Sequence, residues 1–326
     1  MISVVIVNFN AGELLDRCVA AVLEQSLPAL EVFVIDNDSS DGSAKRIGEK
    51  FPSVYVVNSG ANIGFAAANN LALKMLSNNS RWVALLNPDA FPEPDWLETL
   101  FAATREYPEY AFFGSRLMDA NRAALVDGIG DVYHLSGLIW RCGHGQVLNP
   151  ACLKPAEIFS PCAAAAMYRK DLLMESGGFD EKFFCYVEDV DLGFRLRLLG
   201  HRCLYVPGAV AFHIGSALSG ARSAFSVYHG HRNLVWAFFK NMPGILFWVL
   251  LPLHLVFNLL TLFHLGLRGQ AKIVLRAKRD AFKEIPTIWR ARQRIQSQRV
   301  VSLGEIWRLM DKRMIPARRP CSRTMS

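Results

Sequence analysis

The chain has 326 residues, 52% hydrophobic and 20% charged, which excludes a disordered polymer and leaves room for one large domain with an appendage. Its seven cysteines are odd in number and contain no Cys-x-x-Cys pair; they argue against a disulfide scaffold or a structural zinc site and suit a reducing compartment. The net charge of +7 is unevenly spread: residues 1–267 carry 20 Lys+Arg against 25 Asp+Glu, and residues 268–326 carry 16 against 4. The basic excess belongs to the tail rather than to a folded face that would read a polymer, so nucleic acid is not an expected partner.

Residues 2–7 are an apolar, β-branched run that predicts a strand, with no basic leader before it, and the N-terminal domain is expected in the cytosol. The polar turn Asn8-Phe9-Asn10 follows. Leu14, Leu15, Cys18, Val19, Val22 and Leu23 then recur at helical spacing until Pro28. Residues 31–35 predict a second strand, stopped by the polar run from Asp36 to Gly42. Residues 43–50 predict a helix, 54–57 a strand, 65–77 an alanine-rich helix, and 82–86 a fourth strand closed by Asn87-Pro88-Asp89. Strands separated by single helices predict an α/β fold with a Rossmann-like, mostly parallel sheet, whose ligands sit beyond the carboxyl ends of the strands. The turns at Asn8, Asp36 and Asp89 each follow a strand, so one shared sheet edge is expected. Residues 111–170 are less regular. A helix is expected from the Glu188 region to Leu199-Gly200, and strands at 203–206 and 210–213, the second ending on His213.

Several groups in this frame can carry chemistry, each beside a plainer reading. Asp36, with the neighbouring amides, can bond a base or ribose edge or simply cap the next helix. Asn87 and Asp89, two oxygen-bearing side chains around a stiff proline, suit Mg²⁺ or Mn²⁺ shared with substrate phosphates, or form a solvated turn. Glu188, Asp189 and Asp191 open a helix, where carboxylates cap favourably; beside Phe183, Phe184 and Tyr186 one of them can instead act as a general base. His213 is a core histidine unless the fold brings it to Asp89. Arg222, His229, Arg232 and Asn233 can contact phosphate oxygens or serve as surface polarity.

Six stretches in this order resemble family 2 glycosyltransferases of the rhamnosyltransferase-like branch: VVIVNFNAGELLDRCVAAVLEQS (4–26), VFVIDNDSSDGS (32–43), NIGFAAANN (62–70), LLNPDAFPEPDWL (85–97), GGFDEKFFCYVEDVDLGFRLRLLGHRCLYVP (177–207) and AFHIGSALS (211–219). The resemblance covers roughly residues 1–240 and implies a GT-A fold for nucleotide-diphospho-sugar transferases. It implies that Asp36 contacts the nucleotide base, with Asn8, Asn10, Asn37, Asn62, Gly64, Asn87 and Arg232 around the donor. Asn87-Pro88-Asp89 resembles the family's Asp-x-Asp metal motif, with Asp89 and His213 on the divalent cation (Mn²⁺ or Mg²⁺), and Asp189 as catalytic base. The implied reaction is inverting transfer of a sugar, with rhamnose the leading candidate, to a glycan or polyprenyl-linked acceptor in cell-wall or surface polysaccharide synthesis. A nucleotide-sugar-binding or scaffold protein that has lost catalysis is the alternative; an NAD-dependent oxidoreductase lacks the Gly-x-Gly-x-x-Gly fingerprint.

Residues 241–267 contain no Asp, Glu, Lys or Arg. As one helix these positions would reach about 40 Å, enough to cross a bilayer. Pro243, Pro252 and the stripe His254, Asn258, Thr261 and His264 interrupt that reading. The donor and the basic tail both call for the cytosolic side, which one crossing cannot satisfy. An interfacial or re-entrant helical hairpin on the inner face of the cell membrane is therefore expected, with the tail on anionic lipid. The expected organisation is a catalytic domain at 1–240, a membrane-associated helical segment at 241–267 and a basic helical tail at 268–326.

Overall fold

A computed structural model describes residues 1–215 and 223–313. Arg222, the end of the last matching stretch and the final residues of the tail lie outside the described residues.

In chain order the elements are β1 (Ile2–Asn8), α1 (Glu13–Leu23), β2 (Glu31–Asp36), α2 (Ser43–Lys50), β3 (Tyr55–Asn58), α3 (Gly64–Leu73), β4 (Trp82–Leu86), β5 (Ala90–Pro92), α4 (Trp96–Glu106), β6 (Tyr110–Asp119), β7 (Leu125–Gly128), β8 (Asp131–Tyr133), β9 (Ile139–Arg141), β10 (Gln146–Val147) and β11 (Ala156–Glu157). They continue with β12 (Ala165–Arg169), α5 (Lys170–Glu175), α6 (Glu188–Leu198), β13 (Arg202–His213), α7 (Ala224–Asn241), α8 (Gly244–Gly266), α9 (Ala271–Lys283), α10 (Ile285–Ser297) and α11 (Leu303–Leu309).

The central sheet runs β10-β7-β6-β12-β4-β1-β2-β3, with β13 beside β6 and also pairing β5 and β11. β4, β1, β2 and β3 are mutually parallel, as the alternation of strands and helices predicts. The other half is mixed: β12 runs antiparallel to both β4 and β6, and β13 is parallel to β6. The two strands expected at 203–206 and 210–213 are one, β13, with an irregularity between Val206 and Val210 at Pro207. Proline lacks the N–H a regular ladder would use there.

Why β1 is an unbroken apolar run is visible in its neighbours. Val4 and Ile6 pack with α1 and α4 through Leu15, Val19, Val22, Trp96 and Leu100. Val5 and Val7 point the other way, to α3 and α6, among Ala66, Ala72, Leu192 and Leu196. Both faces are buried, so alternation between apolar and polar residues would leave polar groups in the core.

The apolar stretch forms a single unbroken helix, α8, with Pro252 inside it, rather than a hairpin within 241–267. Proline removes one backbone donor and the helix tolerates the loss. Only Phe247, Leu250 and His254 of α8 are buried. His254 docks it: Nδ1 lies 2.7 Å from the Ser136 carbonyl, its ring stacks on Phe238 at 4.0 Å, and a Cβ on Gly137 would come 2.7 Å from Nδ1. Asn258 bonds His254 and Thr261 bonds the Phe257 carbonyl, so much of the polar stripe is satisfied inside the protein.

Candidate active site

Strand register builds the site. Asn8 is level with Asp36 and Ile6 with Leu86, so Asn8, Asp36 and Asn87 emerge at the carboxyl ends of three adjacent parallel strands. The expected shared edge is present.

Its first part is a hydrogen-bonded polar cluster. The Asn8 amide, fully buried, donates to Asp36 Oδ1 at 2.9 Å and reaches Ser39 and Ser43 Oγ at 3.0 and 2.9 Å. Asn8 thus holds Asp36 and the start of α2 in place. Asn10, exposed and at φ 52°, accepts from the Ser40 N–H. Asn37 donates to Asn62 Oδ1 at 2.9 Å and accepts from the Ile63 N–H at 2.9 Å; Asn62 in turn accepts from the Gly64 N–H at 3.2 Å. Gly64 sits at φ 84°, and a Cβ there would meet Phe184 at 2.5 Å, so glycine is required both by the backbone and by the ring above it.

The second part surrounds Asp89. His213 Nε2 lies 3.3 Å from Asp89 Oδ1 and 3.4 Å from Asn87 Nδ2. On its other side Nδ1 lies 2.8 Å from Asp127 Oδ2. Asp127 also pairs with Arg141 and His144. Asp89, Asp127 and His213 are all buried. Burial disfavours imidazolium at His213, yet the carboxylates of Asp127 and Asp89 outweigh it and raise its pKa. Burial likewise opposes ionisation of Asp127, but hydrogen bonds from His144 and His213 and the Arg141 charge hold its carboxyl far below the usual range. An oxygen-rich donor set with one imidazole, its far nitrogen anchored by a carboxylate, fits a divalent cation: Asp89 and His213 Nε2 would hold it, with the Asn87 side chain beside them.

The third part is the acidic turn. The Asp189 carboxylate accepts from the Ala163 N–H at 3.1 Å and from Val190 N–H at 2.8 Å. Ala164, next in line, accepts from the Asn87 N–H at 3.0 Å, so Asp189 sits beside the end of β4 although it is far from Leu86 in sequence. Ligand atoms of Asp131, Cys162 and Asp189 lie within 4.8 Å of one another. Burial and the Asp189 charge raise the proton affinity of Asp131, burial raises that of Asp189 against its N–H bonds, and Glu188, with a buried Oε2 that has no partner, is raised by burial and by Asp189. Arg141 is partly buried here: desolvation opposes its charge, but Cys162, Asp127, Asp131 and Asp189 around it favour it. It links the Asp89–His213 part electrostatically to the acidic turn.

Arg232 and His229 come to the outer side of that turn. The Arg232 guanidinium donates to the carbonyls of Lys182 and Phe183 and lies over Trp236, and His229 stacks on Phe184 at 5.2 Å. Sequence reasoning missed Asp127, Asp131 and Arg141, which come from the irregular middle of the chain. The available signal was Asp127-Gly128-Ile129-Gly130-Asp131: two acids among glycines between apolar residues, where exposed loops usually lack such packing.

The profile of the "Glycosyl transferase family 2" matches residues 3–177. In Mycobacterium tuberculosis (strain CDC 1551 / Oshkosh), an N-acetylglucosaminyl-diphospho-decaprenol L-rhamnosyltransferase is 26% identical over 252 residues, 72% of this chain and 82% of that protein. A pre-mycofactocin glycosyltransferase of the same strain is 31% identical over 59% of this chain and 39% of its own length. Among solved structures, the mannosyltransferase PcManGT from Pyrobaculum calidifontis in complex with GDP-Man and Mn²⁺ aligns with TM-score 0.55 over 94% of this chain and 87% of that one at 16% identity. GalNAc-T7 with UDP, GalNAc and Mn²⁺ aligns with TM-score 0.60 over 74% of this chain and 48% of that one, also at 16% identity. The α/β sheet, the strand-end cluster and the sequence match together place this chain in glycosyltransferase family 2, with the GT-A fold and rhamnosyltransferase-like relatives.

Proposed function

We propose that the protein is an inverting glycosyltransferase that moves a sugar, rhamnose foremost, from a nucleoside-diphosphate donor to a hydroxyl of a lipid-linked glycan at the cytosolic face of the membrane. The observation that carries this reading is the convergence of Asp36, Asp89, His213 and Asp189 on one strand edge, from four separate parts of the chain.

Asp36, held by Asn8, receives the nucleoside, and the Asn37–Asn62 pair with Gly64 shapes the adjoining wall. Asp189 takes the proton from the acceptor hydroxyl, for which its raised proton affinity suits it. The acceptor oxygen forms a bond to the anomeric carbon from the face opposite the phosphate. The carbon–phosphate-oxygen bond breaks, and the nucleoside diphosphate leaves with the electron pair. No second carboxylate nucleophile is needed, because the acceptor itself inverts the centre. A divalent cation at Asp89 and His213, when bound, offsets the charge that grows on the leaving diphosphate. Arg141, paired with Asp127, adds fixed positive potential between the two parts of the site.

The exposed face of α8 supports membrane attachment in this reading. Ile245, Trp248, Val249, Val256, Leu259, Leu260 and Phe263 are exposed at helical spacing. After a short turn, α9 exposes Lys272, Arg276, Arg279 and Lys283 beside Leu275 and Phe282. An apolar face next to cations suits a helix lying in the interface of an anionic bilayer, where a polyprenyl-linked acceptor resides.

The test is transfer from dTDP-rhamnose to a polyprenyl-diphosphate-sugar acceptor in the presence of Mn²⁺. Asp189→Asn abolishes transfer while dTDP-rhamnose binding by calorimetry is retained. Near-normal turnover in that variant refutes the assigned base. Loss of transfer with every nucleotide sugar tried, despite donor binding by the wild type, favours a non-catalytic binding protein.

A further inference from the structure

The segment just before the acidic pair has an unusual backbone. Phe184, Tyr186 and Val187 all have positive φ, at 66°, 69° and 71°. None is glycine, and Val187 is β-branched, for which this region is most costly. Val187 is also the residue from which α6 starts, so its conformation sets the direction in which Glu188 and Asp189 leave the turn. Strain of this kind persists only where surrounding contacts over-determine it.

Those contacts come from α7. Asn233 is fully buried, and its amide nitrogen lies 2.9 Å from the Phe183 carbonyl, 3.0 Å from that of Cys185 and 2.7 Å from that of Tyr186. One side chain thereby gathers three carbonyls of a single turn. Its own orientation is fixed by Arg232, whose Nε donates to Asn233 Oδ1 at 2.9 Å while the guanidinium bonds the Phe183 carbonyl at 3.0 Å. Two turns further along α7, Lys240 and Asn241 grip Asp191 on α6, at 2.8 and 2.7 Å. On the far side Phe184 rests against Gly64, and its carbonyl accepts from the Ala66 N–H at 3.2 Å.

From this geometry we infer that Asn233 is a positioning residue for sugar transfer: by gathering the carbonyls of Phe183, Cys185 and Tyr186 it holds the strained turn that aims Asp189 at the acceptor. The inference rests on Asp189 being the base. Asn233 need not touch either substrate. It acts through backbone geometry, and the helix that carries it is the same one that docks the C-terminal helices, so those helices and the catalytic turn share one support.

Asn233→Asp tests this with little change in shape. The carboxylate cannot donate, and it places charge against three carbonyl oxygens. The expected result is a kcat lower by about 100-fold, the scale of a displaced catalytic group. KM for the acceptor and calorimetric binding of dTDP-rhamnose change by less than about threefold, because the donor-holding strand edge is untouched. Hydrogen exchange of the amides at 185–190 accelerates while that of the central strands stays slow. If N233D does not unfold cooperatively, Asn233→Ala removes the donors without adding charge and is read by the same measurements. Wild-type kcat in a folded variant, or equal loss of kcat and donor binding, overturns the inference. Asp189→Asn is assayed alongside. Near-normal turnover of D189N overturns the base and this inference with it, whereas an inactive D189N beside a fully active N233D overturns the positioning role alone.

Discussion

Asp127→Asn isolates the role of a carboxylate paired with His213, Arg141 and His144. Its Oδ2 lies 2.8 Å from His213 Nδ1, so it fixes which imidazole nitrogen faces Asp89. The substitution keeps the volume and removes the charge. A carboxylate behind a metal-ligating histidine is worth about 10–100-fold in metal affinity. That corresponds to about 1.4–2.8 kcal/mol at about 1.4 kcal/mol per tenfold change. Arg141 loses its closest partner as well, but Asp131 and Asp189 remain around it, so unfolding of the site is not expected. The assay is a Mn²⁺ titration of dTDP-rhamnose binding and of transfer, on wild type, D127N and Asp89→Ala. D127N moves the Mn²⁺ midpoint up by about 10–100-fold, with the rate recovered at saturating ion, and Asp89→Ala weakens metal-dependent binding further. A D127N midpoint equal to wild type refutes the placing of His213 on the cation.

Gly64→Ala puts a Cβ 2.5 Å from the Phe184 ring at φ 84°, and should cost about 2 kcal/mol in denaturant-measured stability while lowering kcat through the displaced turn. Burial raises the Asp189 pKa, so transfer should rise with pH through a limb above the ordinary aspartate range, since only the carboxylate accepts the proton; a kcat–pH profile whose acid limb sits at the ordinary value contradicts the burial argument. Stability runs the other way: Asp131 holds its proton more tightly folded than unfolded, so its contribution is present at low pH and lost as pH rises through the folded pKa, and Asp131→Asn should raise Tm more at pH 9 than at pH 5. Replacing Leu259 and Phe263, 65% and 68% exposed, by serine leaves Tm unchanged and lowers co-sedimentation with phosphatidylserine vesicles by about tenfold or more, given about 1.5–3 kcal/mol for each such side chain transferred out of water.

The amino-acid sequence by itself determined the parallel half of the sheet. Two-faced burial demands continuous apolar runs such as Ile2–Val7, and the polar turns at Asn8, Asp36 and Asn87 mark where each strand leaves the core. It also pointed to apolar helix within residues 241–267, but as a hairpin; the structure has one helix there, Gly244–Gly266, with Pro252 inside it. The tertiary structure alone decided what surrounds those turns. Asp127 and Asp131 come from short strands whose register depends on β6 and β9, and Asp189 reaches the end of β4 through a backbone bond from β12's leading edge. Nor could spacing reveal that Asn233 gathers carbonyls 47 to 50 residues upstream. Hydrophobic periodicity is a local property of neighbours along the chain. Which buried polar groups meet is set by long-range packing, and their partners are chosen by the need to satisfy each one away from water.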